Sequence, residues 1–312
     1  MAPPPHAVPD LADRTIVVTG TTSGLGRALA AVLTGAGARV LMTARDAERG
    51  TAAVEQVRAG IDGPGSAELV LLDLADLASV HTAATDIRER TGDRVDVLVN
   101  NAAVSLGPHE QTRDRFELQI GTNHLGPAAL TWLLMPALRA AGQPERPARV
   151  VTTSSLGHRT GGLDLTDLHW ERRRYSPTRA YGASKLANLL FAAELDRRLR
   201  ATGDSVLSVA AHPGLTASEL LNNALARRNT WRARMLVLPD RYLSQPVAAG
   251  IRPQLLAATG PVRGGDYLGP TGLFEIRGPA GPARRTGTAR DPRLARELWQ
   301  LTASITGITP DP

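Results

Sequence analysis

Short apolar runs alternate along this chain with longer stretches whose apolar residues return every three or four positions. Residues 15–19 (TIVVT), 39–43 (RVLMT), 68–72 (ELVLL), 95–99 (VDVLV), 149–153 (RVVTT) and 206–211 (VLSVAA) are short and mostly rich in β-branched residues, which predicts strands. Residues 265–268 (GDYL) predict a seventh. Helical spacing predicts helices over 24–35, 47–58, 77–90, 113–140 and 179–201, with a terminal amphipathic helix over 293–302. In the first, Leu25, Leu29, Val32 and Leu33 share a face; in the fifth, Leu186, Leu189, Leu190 and Leu199 do. Pro127 predicts a kink in the fourth helix, and Pro136 a second weak point.

Strands that alternate with helices predict an α/β fold, a doubly wound parallel sheet of about seven strands with helices on both faces. No repeat and no long linker divides the chain. Residues 1–13, rich in proline, read as a disordered lead-in, and 14–312 as one domain. Residues 157–179 and 214–239 read as insertions flanking a crevice at the carboxyl ends of the strands, where such sheets bind ligands. Residues 278–292 read as a surface loop.

Composition narrows the function. The chain has 312 residues, 42% of them hydrophobic and 21% charged, which is globular. No apolar run is long enough to span a membrane and no secretory leader is visible, so a cytoplasmic protein is expected. The absence of cysteine removes disulfides, cysteine-bound metal and thiol nucleophiles, and no metal site is expected. The charge of +6 is scattered in short arginine runs without interleaved aromatics, which predicts a solvated surface and no nucleic-acid partner. Lys185 is the only lysine among 36 basic residues. A chain that otherwise uses arginine keeps an amine at one position.

The first strand runs into Gly20-Thr21-Thr22-Ser23-Gly24-Leu25-Gly26. A glycine-rich turn that opens a helix lets backbone approach a pyrophosphate and presents the positive end of the helix dipole to it. That is a Rossmann-type signature. At the end of the second strand stands Arg45, where a carboxylate would favour a free ribose hydroxyl. A guanidinium favours a 2′-phosphate instead, so NADP(H) is expected over NAD(H). The competing reading makes Arg45 a surface residue at the entry of a helix capped by Asp46. Asp73 after the third strand either binds adenine or caps its turn. Asn100 and Asn101, with Ala102, either line the cofactor or only brace the sheet edge. Tyr181 and Lys185 lie four residues apart on one helix, about 5–6 Å apart at Cβ. A nearby ammonium favours the phenolate of a tyrosine and makes it a usable acid/base. Ser155, after the fifth strand, completes the set.

In these signposts the chain resembles the short-chain dehydrogenase/reductase family, in its compact single-domain subclass. They are TGxxxGxG at 19–26, Asp73, NNAA at 100–103, Asn123 in TNHLG, Ser155, YxxxK at 181–185 and Pro213-Gly214. TNHLG at 122–126, SSLGH at 154–158, YGASKLANLLF at 181–191 and HPG at 212–214 are most similar to its retinol dehydrogenase-like and protochlorophyllide reductase-like branch. The resemblance implies a carbonyl–alcohol oxidoreductase using NADP(H). It implies Tyr181 as proton donor and acceptor, Lys185 tuning it and holding the nicotinamide ribose, Ser155 on the carbonyl oxygen, and Asn123 holding a relay water. Ser154 is the rival of Ser155. Asn123 has the simpler alternative of bracing its own helix. The resemblance further places Leu74, Pro213, Gly214 and Thr216 on the cofactor, together with Gly20, Thr22, Ser23, Gly24, Leu25, Gly26, Arg45, Asp73, Asn100 and Ala102. It implies a small lipophilic carbonyl or alcohol as substrate and a possible homodimer through helices 113–140 and 180–201. One departure is Ala103 in place of the usual glycine, tolerable where φ is negative. The alternatives are a sugar-nucleotide epimerase, disfavoured because Ser23 stands where that spacing needs glycine, and a non-redox cyclase or cofactor-sensing module on the same scaffold.

Overall fold

The computed structural model describes residues 7–216 and 244–311. Its strands are β1 (Thr15–Val18), β2 (Arg39–Ala44), β3 (Ser66–Leu71), β4 (Val97–Asn100), β5 (Ala148–Thr153), β6 (Val206–Ala211), β7 (Tyr267–Pro270) and β8 (Ala280–Pro282). They form one sheet in the order β3-β2-β1-β4-β5-β6-β7-β8. All pairs are parallel except β7 with β8. Strand order reverses between β1 and β4, which opens a crevice at their carboxyl ends. β8 lies in the segment expected to be a surface loop. Prolines at 279 and 282 hide it from a sequence pattern, but an edge strand tolerates them because one side of its backbone needs no partner.

Both faces of the sheet are covered, so its strands need no polar alternation. On one face pack α1 (Gly24–Gly35), α2 (Ala47–Ala59) and the later α8 (Arg252–Thr259), over Ile16, Val18, Val40 and Met42. On the other pack α3 (Leu77–Thr91), α5 (Gly126–Ala141) and α6 (Pro177–Thr202), over Val17, Leu41 and Leu98. A short α7 (Val247–Gly250) precedes α8. Residues 7–13 are part of the fold rather than a free lead-in. Leu11 is buried in the core, and its N–H donates to the Ala36 carbonyl at 2.8 Å. Of the predicted insertion 214–239, residues beyond Thr216 lie outside the described residues.

The predicted helix 113–140 starts later and is interrupted. Residues 112–116 close a turn, with Arg115 at φ 64°. Helix α4 (Leu118–Ile120) then begins at Glu117, whose carboxylate accepts the N–H groups of Gln119 and Ile120. A π-helical turn, Gly121–Leu125, leads into α5 with Pro127 in its first turn. Proline has no N–H for the carbonyl of residue 123 and crowds it. A widened turn absorbs that mismatch where a kink was expected. α6 is longer than predicted by two residues at its start, with Pro177 in its first turn and Gly203 in the left-handed region as its cap. Helix α9 (Pro292–Thr306) lies along α6, where Trp299 stacks on Phe191 at 5.2 Å and meets Trp132 edge-on at 5.0 Å.

Candidate active site

The glycine-rich turn is held from below. Gly20 sits at φ 71°, and a Cβ there would stand 2.8 Å from Ala102. The Asn101 amide donates to the Thr19 carbonyl at 2.9 Å, while the N–H groups of Asn101 and Ala102 share the Thr19 hydroxyl. Gln254 in turn donates to Asn101 Oδ1 at 2.9 Å. A Cβ on Gly26 would stand 2.2 Å from the Gly20 carbonyl oxygen. Gly20 and Gly26 therefore let turn and helix touch. Gly24 differs: its φ is 55° and nothing lies within 4 Å of a Cβ there. The start of α1 also differs from those of α2, α3 and α9. Asp46, Asp76 and Asp291 cap those helices, whereas Ser23 makes no capping bond. Free N–H groups, a positive dipole end and an open approach suit a diphosphate. Thr22, Ser23 and Leu25 are half-buried around it.

Arg45 is exposed where β2 ends, and Asp46 is engaged with Arg49 N–H at 2.8 Å rather than with it. Asp73 accepts the Ala75 N–H at 2.9 Å, the turn-capping alternative, while remaining half-buried. Leu74 is buried, with its carbonyl 2.4 Å from where a Cβ on Gly126 would stand. Asn100 donates to Thr131 at 2.9 Å and leaves a buried, unpartnered Oδ1. After β6, Gly214 at φ 68° passes so close to Ile276 that a Cβ would stand 2.3 Å from its carbonyl oxygen. Thr216 donates to the Pro213 carbonyl at 3.0 Å. Thr216 and Leu25 both crowd Gly250, so this segment returns to the same end of the sheet as the glycine-rich turn. Ala103 is absent from the residues with positive φ, so its methyl is accommodated. These residues fit a nicotinamide dinucleotide.

Tyr181 and Lys185 stand near the start of α6, beside the end of β5. Lys185 is buried, and its ammonium donates to the Thr153 carbonyl at 3.2 Å and lies 5.8 Å from the centre of the Tyr181 ring. Burial pulls its pKa down to about 8. The Tyr181 phenol is pushed up by burial, and a hydrogen bond with Ser155 partly opposes this. Burial, rather than the lowering expected from Lys185, sets the direction of its shift. Ser155 Oγ also accepts the Gly157 N–H at 3.1 Å, and Gly157 lies against the Tyr181 ring. Ser154 is spent elsewhere, donating to the Lys185 carbonyl at 2.9 Å, which leaves Ser155 as the serine facing Tyr181. Asn123 lies in the π-helical turn. Its amide donates to the Val104 carbonyl and to Ser184, and its Oδ1 accepts the Val104 N–H at 2.8 Å. Its side chain therefore braces the β4 loop and α6 rather than its own helix, the simpler alternative expected for it.

The segment 157–179 is pinned at its far end. Tyr175 donates to Glu117 at 2.9 Å and accepts from Gln119 at 2.8 Å, while its ring stacks on His109. Burial raises the Tyr175 phenol beyond its usual range. Glu117 and the buried histidines 158 and 212 were missed as site residues, and Asn101, read as a cofactor-lining or sheet-bracing residue, braces the glycine-rich turn. The two histidines were signalled by SSLGH and HPG. Among the described residues no group of three His, Asp or Glu that could hold a metal occurs, and no helix is long and apolar enough to cross a membrane.

A profile of the short chain dehydrogenase family matches residues 14–229. A polyprenol dehydrogenase of Mus musculus is 40% identical, covering 97% of this chain and 87% of its own. Retinol dehydrogenase 13 of Homo sapiens is 35% identical over 95% of this chain and 85% of its own. The crystal structure of an uncharacterized protein from Mycobacterium Paratuberculosis superposes with a TM-score of 0.78 and 39% identity, covering 98% of this chain and 97% of that one.

Proposed function

The chain belongs to the short-chain dehydrogenase family, on the retinol dehydrogenase-like side of it, and from that premise we propose an NADP(H)-dependent oxidoreductase that interconverts an alcohol and its ketone or aldehyde. The observation that carries this reading is the meeting of Tyr181, Lys185 and Ser155 after β5 of a parallel sheet whose first helix starts uncapped and open. NADP(H) would be held by Gly20, Thr22, Ser23, Gly24, Leu25 and Gly26 at its diphosphate and by Arg45 at its 2′-phosphate, and it supplies or accepts the hydride. This chain handles the substrate oxygen and its proton. The Ser155 hydroxyl donates to that oxygen, where negative charge grows during reduction. Tyr181 gives it a proton in reduction and takes the proton back in oxidation. Its raised pKa keeps the phenol protonated, which is the form reduction starts from. Lys185, near 8, is mostly an ammonium at neutral pH and favours the phenolate once the proton has left. With its side chain spent, Asn123 would act in the relay through its backbone.

The two relatives are named for polyprenol and retinol, and we extend to this chain a lipophilic alcohol or carbonyl as substrate. The test is NADPH absorbance with a panel of lipophilic aldehydes and ketones. Tyr181→Phe should lower turnover about a hundredfold to ten-thousandfold while leaving NADPH affinity unchanged, since it removes only the transferred proton. Wild-type protein that binds NADPH but turns over nothing on the panel would sink the reading. Activity that survives Tyr181→Phe would move the proton donor elsewhere.

A further inference from the structure

Two of the motifs leave a histidine with no part in the chemistry above: SSLGH leaves His158, and HPG leaves His212. The fold brings both to one ring. His158 meets Tyr267 of β7 edge-on with centroids 5.8 Å apart, and His212 lies tilted against the same ring at 5.3 Å. All three side chains are buried, at 1%, 0% and 4% exposure. Each keeps one polar atom without a hydrogen-bond partner: His158 Nε2, His212 Nε2 and Tyr267 Oη. Three such atoms around one ring are unusual, because a buried polar group left unsatisfied costs about 1–3 kcal/mol. Gly269, two residues along β7, lets the His212 ring pack against the strand, since a Cβ there would stand 2.0 Å from Nε2.

The second nitrogen of each imidazole fixes its tautomer. His158 Nδ1 faces the Ser155 carbonyl oxygen at 2.7 Å, so it must carry the proton and donate. Its free Nε2 is then an acceptor. His212 Nδ1 accepts the Gly214 N–H at 3.2 Å, so the proton sits on Nε2, which is a donor. The Tyr267 hydroxyl can do both. One acceptor, one donor and one hydroxyl form a complementary set for a single water, which offers two donors and two acceptors. Both rings are held neutral. Burial pulls His212 down to about 3 and also lowers His158; Arg159 repels a charge on either ring, while the Ser155 carbonyl and Glu275 oppose the lowering at His158. The Glu275 carboxylate faces the cluster, with Oε2 3.4 Å from His212 Nε2, too far for a good hydrogen bond, and it accepts from Arg159 Nη2 at 2.5 Å and from the Arg284 N–H at 2.9 Å. Arg285 lies over the other side of Tyr267 at 5.8 Å.

We propose that His158, His212 and Tyr267 hold one internal water, and that this network makes His158 a positioning residue for Ser155. The link to the site is direct. His158 grips the backbone carbonyl of Ser155, and Tyr267 lies beside Ser154, which is bonded to the Lys185 carbonyl. Both serines after β5 are therefore backed by the same cluster, across β6 and β7. The His158 bond adds a backbone anchor to the Gly157 N–H that Ser155 Oγ already accepts.

The role of Ser155 rests on the oxidoreductase reading, but the network can be tested without activity. The chain has seven histidines, few enough to assign by 15N NMR on the full-length protein. At pH 7 His158 should show the Nδ1–H tautomer and His212 the Nε2–H tautomer, with His212 remaining neutral down to about pH 5. Tyr267→Phe should move the Nε2 signals of both histidines. A high-resolution crystal structure should show one water in bonding distance of all three atoms. Opposite tautomers, unmoved signals in Tyr267→Phe, or no water would overturn the network. Where turnover is detected, His158→Ala should lower kcat about tenfold to hundredfold with little change in NADPH affinity, since small misplacement of a reacting group costs that much. His158→Asn, which keeps a donor near the Ser155 carbonyl, should restore part of it. Unchanged kcat in His158→Ala would overturn the positioning role. Correct tautomers without turnover on any carbonyl would leave the network standing and remove the oxidoreductase reading.

Discussion

Arg45 illustrates how much one side chain can decide. It is exposed where β2 ends, and the neighbouring carboxylate, Asp46, is committed to capping α2. A charge-assisted hydrogen bond to a 2′-phosphate is worth roughly 1.5–3 kcal/mol. Arg45→Ala should therefore lower the ratio of NADP to NAD affinity by about tenfold or more, with NAD affinity nearly unchanged. Titration of both cofactors by fluorescence checks this, and an unchanged ratio would refute the NADP preference. Residues such as Arg45, Tyr181 and Lys185 were legible in the sequence because their meaning depends on neighbours in the chain: a strand end in one case, one helical turn in the other. Ser155 needed the fold, which assigned its rival Ser154 to the Lys185 carbonyl. The His158–His212–Tyr267 cluster was not legible as a cluster. Its members come from the turn after β5, the end of β6 and the start of β7, and only strand order makes them neighbours.

At the scale of elements, the π-helical turn Gly121–Leu125 connects the site to the far side of the molecule. One of its residues, Asn123, braces the β4 loop and α6, and the next, His124, points the other way. His124 is buried, with Nε2 2.9 Å from the Thr302 hydroxyl of α9. Burial holds its pKa at about 4, below the ordinary 6.5. Above pH 6.5 the ring is neutral in both folded and unfolded chains, and its contribution to stability is complete. As pH falls from 6.5 through 4 the unfolded chain takes up a proton that the folded chain refuses, and stability is lost. A shift of that size corresponds to roughly 3 kcal/mol by the bottom of the window. His212, held at about 3, adds to the loss in the same window. The melting temperature should fall steeply between pH 6.5 and 4, and His124→Gln should make that slope shallower. An identical slope in the variant would remove His124 as a source. This part of the fold was only half legible. The apolar spacing located a helix around 113–140, but the capping carboxylate of Glu117 set its start and Pro127 set its widened turn. Those depend on hydrogen bonds rather than on periodicity.

At the scale of the molecule, the question is what covers α5 and α6, the faces from which a homodimer was expected. Most of α5 is buried, and what remains outward is a narrow stripe that includes Pro136 and Ala140. From Gly182 to Ala192 every residue of α6 is buried. The chain supplies the cover itself. Leu298 and Trp299 of α9 are buried, Trp299 sits between Phe191 and Trp132, and Arg198 of α6 closes over the Trp299 ring at 4.7 Å. A second copy docking on these helices would have to displace α9 and strip those aromatics, each of which buries a large apolar surface. We therefore expect a monomer, with light scattering giving a mass near the 33.0 kDa of one chain. Trp299→Glu should expose the aromatic seam and drive concentration-dependent self-association or lower the melting temperature, because it removes the ring packed against Phe191 and Trp132. A stable dimer of the wild-type chain, whose formation Trp299→Glu leaves untouched, would place the interface elsewhere and show that the cover on α6 is not what decides assembly.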